Sequence, residues 1–193
     1  NMSSPSDILY DEAAQVMYIM DGGNSRIIKT NLECTTVLDI YESFIVNKNE
    51  KLDFTDAQGL WVLDGKVFIA DTEGERVIVG DFNGNVEKII TMPENLKELN
   101  TPFKASKILT DRNGRIYIIA ESINMGALVF NADYEYENFF GSNTVQTTAD
   151  AIMNYIKRKF MNKEQQSAME NITPVSLANF DIDEDGFIYV VTE

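Results

Sequence analysis

The sequence predicts an all-β fold: a partial β-propeller of about three and a half four-stranded blades, with a short helical insertion. Three observations carry this expectation. The stretch at 55–85, TDAQGLWVLDGKVFIADTEGERVIVGDFNGN, has near-copies upstream (SDILYDEAAQVMYIMDGGNSRIIKTNLE) and downstream (ASKILTDRNGRIYIIAESINMGALVFNADYE), and begins again in SLANFDIDEDGFIYVVTE. Each copy contains short runs rich in β-branched and aromatic residues, the side chains that suit a pleated, half-buried surface. Turn dipeptides separate the runs: Asp64-Gly65, Asn83-Gly84, Asn113-Gly114 and Asp185-Gly186. These residue types favour the positive φ that two-residue hairpins need.

Each unit reads as four antiparallel strands, a to d. The second strand closes on an acid in every copy: Asp21, Asp71, Glu121 and Glu193, at intervals of 50, 50 and 72 residues. Arg26 and Arg76 follow the first two acids five residues later, and the third copy lacks this arginine. In strand a, Leu9, Trp61, Leu109 and Asp181 share one slot. Strand d is read in TTVLDIYE, NVEKIITM and YENFFG. The expected blades span 4–46, 55–92 and 103–141, with a half-blade at 174–193. Residues 41–54 and 91–104 read as polar surface loops, the latter carrying Pro93 and Pro102.

The longer third interval contains an insertion at 146–170. Ala149, Ile152, Met153, Ile156 and Phe160 fall at the spacing of one helix face. Thr147 or Thr148 can cap that helix, and Lys157, Arg158 and Lys159 suit its C-terminal end.

Composition narrows the function classes. The 193 residues carry a formal net charge of −15, a surface that repels phosphate backbones and anionic headgroups. Nucleic acid is therefore not the expected partner. No apolar run reaches the length of a membrane span. With no histidine, Ser-His-Asp and Cys-His catalysis and histidine-ligated metals are excluded. Cys34 is the single cysteine, so an intramolecular disulfide and a cysteine zinc site are excluded too.

The carriers DGKVFIADTEGERVIVGD, DRNGRIYIIAE, DEDGFIYVVTE and YIMDGGNSRIIKTN resemble the NHL repeat of β-propeller proteins, with Asn24, Arg26 and Ile27 matching its Asn-x-Arg-Ile element. The resemblance covers nearly the whole chain except 142–172. It implies a propeller of about six blades, of which this chain would hold a part or which it would close by assembly. With the insert before NFDIDEDGFIY, the chain looks like bacterial extracytoplasmic NHL-repeat proteins, which implies an extracellular or cell-surface location.

Two functional expectations follow. The first is a non-enzymatic propeller acting as a protein- or carbohydrate-binding module or scaffold, without a cofactor. The alternative is a metal-dependent hydrolase or lactonase of the six-bladed type. The candidate binding residues are Arg26, Arg76 and Trp61, each with a structural counterpart role: ion pairs that staple blades for the arginines, core packing for the tryptophan. Asp181, Asp183, Asp185 and Gly186 spell D-x-D-x-D-G, the opening of a calcium loop. Position twelve is Thr192 rather than an acid, and the repeat register makes DEDG a hairpin turn instead. No catalytic residues are assigned. The open blade faces, at Ile8, Ile19 and Ile27 on one side and Phe180, Ile182 and Ile188 on the other, are expected either to self-associate, most simply as a two-fold dimer, or to be capped at one end by the insert helices through Ile152, Ile156 and Phe160.

Overall fold

A computed structural model describes residues 1–46, 50–141 and 176–192. The helical insertion expected at 146–170 lies outside the described residues. Three four-stranded antiparallel sheets follow one another along the chain. The first contains β1 (Pro5–Asp11), β2 (Val16–Asp21), β3 (Arg26–Thr30) and β4 (Val37–Tyr41). A hairpin, β5 (Ser43–Val46) and β6 (Glu50–Asp53), leads to the second sheet. That sheet contains β7 (Ala57–Leu63), β8 (Lys66–Asp71), β9 (Arg76–Asp81) and β10 (Val86–Ile90). The third contains β11 (Ala105–Thr110), β12 (Ile116–Ala120), β13 (Ala127–Phe130) and β14 (Tyr136–Phe140). A two-stranded sheet closes the described chain, β15 (Leu177–Ile182) with β16 (Ile188–Thr192). Each sheet is a simple meander, and the first strands β1, β7, β11 and β15 neighbour one another in order. Sheets stacked through such inner strands make a partial β-propeller.

Three apolar layers hold the stack. Val16, Tyr18, Met20 and Ile27 of the first sheet meet Leu60, Val67, Ile69 and Ile78 of the second. The other face of the second sheet, with Phe68, Ala70, Val77 and Val79, meets Ile108, Ile118, Leu128 and Phe130 of the third. The third then packs Leu109, Tyr117, Ile119 and Val129 on Leu177 and Phe180. Sheets in the middle are buried on both faces. Their strands therefore read as unbroken apolar runs, VFIA and IYIIA, rather than alternating ones.

The two linkers are not the polar surface loops that composition suggests. Ser43–Val46 and Glu50–Asp53 pair as β5 and β6, and Phe44 is fully buried beside Phe54. Residues 94–99 form a 3₁₀ helix that buries Leu96 and Leu99, and Phe103 follows them into the core between sheets two and three. A few apolar residues among many charges are enough to pin each linker.

Turn chemistry also differs from expectation. Of the four Asp-Gly and Asn-Gly dipeptides, only Asp64-Gly65 is a two-residue hairpin, with Leu63 opposite Lys66 and φ of 50° and 76°. Elsewhere a side chain builds the turn. The Oδ1 of Asp81 accepts the backbone N–H groups of Asn83 and Asn85, at 2.9 and 3.0 Å. Asp111 does the same for Asn113 and Arg115, Asn131 for Asp133 and Glu135, and Asp183 for Asp185 and Phe187. This Asx arrangement satisfies two loop donors at once, which is why Asp or Asn opens each five-residue loop.

The inner strands approach closely at Gly59. A Cβ there would overlap the carbonyl oxygen of Ser106 and lie 3.0 Å from the Lys107 Cα and 3.1 Å from the Ala70 Cβ. Backbone atoms cannot yield as a flexible side chain would. Gly59→Ala is expected to destabilise by about 1–3 kcal/mol, the range for overpacking a filled site. Chemical denaturation measures it, and an unchanged midpoint would contradict the close packing of β7 on β11.

Candidate ligand groove at the axial end

All four inner strands start with the same irregularity. The register shifts between Pro5 and Asp7, Ala57 and Gly59, Ala105 and Lys107, and Leu177 and Asn179. One residue of each strand is thus bulged: Ser6, Gln58, Ser106 and Ala178. A bulge re-aims its side chain and locally ends regular pairing. Gln58, Ser106 and Ala178 line a groove of about 530 Å³ at this end of the stack, together with Lys107, Glu121 and Asn124. Ile119, Ala120 and Ile123, all buried, complete a lining that exposes more polar than apolar surface.

A charged junction lies against the groove. Asp7, Gly59 and Lys107 hold the same slot in successive inner strands. The Lys107 ammonium reaches past the bare Gly59 to the Asp7 Oδ1 at 3.1 Å and the Ser6 carbonyl at 2.8 Å. The Asp7 Oδ2 accepts the Leu60 N–H at 3.0 Å. One carboxylate so joins three blades. Asn124 is exposed, as is Glu121. The groove therefore offers the Gln58 and Asn124 amides and the Glu121 carboxylate, groups that orient a polar ligand by hydrogen bonds.

The candidate residues named from sequence sit elsewhere. Arg26 donates from Nε to the Asp21 Oδ2 at 2.8 Å and from a terminal nitrogen to the Asn1 carbonyl at 3.0 Å. Arg76 repeats this with Asp71 Oδ2 at 2.7 Å and the Asp53 carbonyl at 3.0 Å. In each sheet the second carboxylate oxygen accepts a backbone N–H from the entering segment, of Ser3 or Thr55. Each Asp–Arg pair therefore ties the segment that enters a blade to that blade's second and third strands. Trp61 is half-buried between the layers on either side of the third sheet, its indole nitrogen enclosed. It lines no part of the groove.

Asp181, Asp183 and Asp185 do not converge. Asp183 uses Oδ1 for the turn, and its Oδ2 accepts the Tyr189 hydroxyl at 2.8 Å. Bonds from the Phe187 N–H and Tyr189 hold its carboxyl below the usual range. Asp181 bonds to the N–H of Ile182. Among the described residues no three acids gather as a metal site.

The closing acids are a second correction. Pro5, Ala57, Ala105 and Leu177 face Asp21, Asp71, Ala120 and Thr192. The third and fourth copies thus have no acid at this position, and Glu121 falls one residue beyond its strand. That displacement brings Glu121 to the groove. The shared slot of Leu9, Trp61, Leu109 and Asp181 stands, each paired with an aromatic: Tyr18, Phe68, Tyr117 and Tyr189.

The two equivalent aspartates titrate in opposite directions. Burial raises both. At Asp21 the bonds from Asn24, the Ser3 N–H and Arg26 outweigh it, and the pKa is lowered. At Asp71 Gly74 replaces that asparagine, burial dominates over Thr55 and Arg76, and the pKa is raised. A lowered pKa in the folded state gives stability that is full above the ordinary carboxylate value of about 4 and is lost as pH falls. A raised one gives the reverse, with stability lost as pH rises through the folded value. In urea titrations, the parent's advantage over Asp21→Asn is expected to shrink toward acid. Its advantage over Asp71→Asn is expected to shrink toward neutral pH. Slopes of one sign at both positions would contradict the assignment.

No protein-family model and no curated protein matches the chain. Solved structures do. The extracellular domain of the BT4673 hybrid two component system from B. thetaiotaomicron aligns over 97% of this chain and 22% of its own, at 14% identity and TM-score 0.55. U3-55K aligns over 74% and 41%, at 11% identity and TM-score 0.55. The WD40 repeats of RRP9 align over 74% and 40%, at 11% identity and TM-score 0.51. The chain spans less than half the length of each. At these identities the likeness is one of fold, and the fold is that of a propeller.

Proposed function

We propose that this chain is an NHL-type propeller module that binds a protein or carbohydrate ligand, acts as a scaffold rather than an enzyme, and works on the extracellular side of a bacterial cell. The axial groove is the observation that carries this reading. It collects Gln58, Ser106, Lys107, Glu121 and Asn124 from two inner strands and one loop, so that its lining carries both charged and uncharged polar groups. The NHL assignment rests on Asn24, Arg26 and Ile27 and on the repeated Asp–Arg pairs. The extracellular placement is supported by the repeat resemblance and by the likeness to an extracellular domain. Among the described residues no helix is long and apolar enough to cross a membrane.

Screening the purified protein against arrays of neutral oligosaccharides and of peptides tests the reading. A hit is expected to weaken by about tenfold or more in Gln58→Arg and Asn124→Arg, which fill the groove with bulk and charge, while the melting temperature holds. A hit unaffected by both variants would move the site off the groove. Calcium-dependent ester hydrolysis by the parent would overturn the non-enzymatic reading.

A further inference from the structure

The charges around the axial groove do not cancel. The Lys107 ammonium is held by Asp7 and the Ser6 carbonyl. Lys104, whose carbonyl accepts the Glu121 N–H at 3.0 Å, gives its ammonium to Glu73 at 2.7 Å. Its pKa is raised, by Glu73 foremost and then by Glu121 and Glu75 at longer range. Three carboxylates thus share one ammonium. Among the described residues Glu121 itself forms no ion pair, although its exposed side chain lines the groove. The one charge the groove has left to offer is therefore negative. A carboxylate accepts its strongest hydrogen bonds from an ammonium or a guanidinium. The Gln58 and Asn124 amides beside it each carry both a donor and an acceptor, which suits the alternating N–H and C=O groups of a peptide. A sugar would pack the C–H face of its ring on an aromatic side chain, and no described residue of the lining is aromatic.

We propose that the axial groove binds a peptide segment bearing a lysine or arginine, with Glu121 receiving the cation and the Gln58 and Asn124 amides bonding the peptide backbone. The inference rests on the groove reading above and narrows its ligand from protein or carbohydrate to a basic peptide. The net charge of −15 acts in the same direction, since it draws a cationic partner toward the surface. Lys107 does not oppose such a ligand, because Asp7 already balances its charge.

An NMR titration of the 193-residue protein tests this, with three probes: acetyl-Gly-Lys-Gly-amide, the same peptide with norleucine in place of lysine, and maltotriose. The lysine peptide is expected to shift the backbone amides of Gln58, Glu121 and Asn124. Its affinity should exceed that of the norleucine peptide by about fivefold and fall with added salt. This comparison needs no variant to fold. Glu121→Gln is expected to remove the preference for lysine while the melting temperature holds. Glu98→Gln, exposed on the 3₁₀ helix and outside the groove lining, removes the same charge and is expected to leave the preference unchanged. Equal affinity for the two peptides would overturn the proposal. So would equal losses in the two variants, which would assign the attraction to net charge alone. Shifts at the same amides with maltotriose but not with the lysine peptide would overturn this inference and leave the groove a binding site. No shift with any of the three probes would also overturn it, and the array screen then decides the groove reading separately.

Discussion

One carboxylate holds the centre of this stack. Asp7 accepts the Leu60 N–H with one oxygen and the Lys107 ammonium with the other, so β1, β7 and β11 meet at a single side chain. Inner strands in a propeller have no neighbour within their own sheet on the axial edge. Their backbone donors need another source of partners, and a buried donor left unpaired costs roughly 1–3 kcal/mol. Asp7 supplies one such partner, and Lys107 balances its charge. Both side chains are about one-fifth exposed, so the pair is partly desolvated and less screened than a surface ion pair. Gly59 lets β7 and β11 approach closely enough for this junction, since a Cβ there would overlap the Ser106 carbonyl oxygen.

The remainder of the architecture is the same problem solved repeatedly. Side-chain oxygens take the place of missing backbone partners wherever the chain turns. At one end Asp21 and Asp71 capture the entering segments through Ser3 and Thr55, and an arginine neutralises each. At the other end Asp81, Asp111, Asn131 and Asp183 each satisfy two loop N–H groups. Five of the 31 acids, Asp21, Asp71, Asp81, Asp111 and Asp183, are committed to such turns and clamps.

The repeat made the sheets legible, because strand composition and turn residues recur in register. The slot shared by Leu9, Trp61, Leu109 and Asp181 could be read directly, since packing against an aromatic on strand b keeps it in phase. The end of strand b could not. Aligning on the acids placed Glu121 with Asp71, whereas Tyr117 and Tyr18 hold the true register and put Ala120 there. Linkers misled for another reason. Phe44, Leu96, Leu99 and Phe103 are few among charges, and their burial depends on sheets distant in sequence. Of the six residues expected on open blade faces, Ile8 alone is exposed, at 59%; Ile19, Ile27 and Phe180 are buried, Ile27 against the second sheet and Phe180 against the third, and Ile182 and Ile188 are half-buried. The groove was invisible because bulged residues build it. Their only sequence trace is Ser6, Gln58, Ser106 and Ala178, small or polar residues interrupting the start of each inner strand.

A double-mutant cycle on Asp7→Asn and Lys107→Met, read by urea denaturation, tests the axial junction most directly. The account predicts a coupling of about 1 kcal/mol or more, within the range for groups that share one network. Additive losses, with a coupling within about 0.3 kcal/mol of zero, would show that the three inner strands hold together without this carboxylate and would contradict the account.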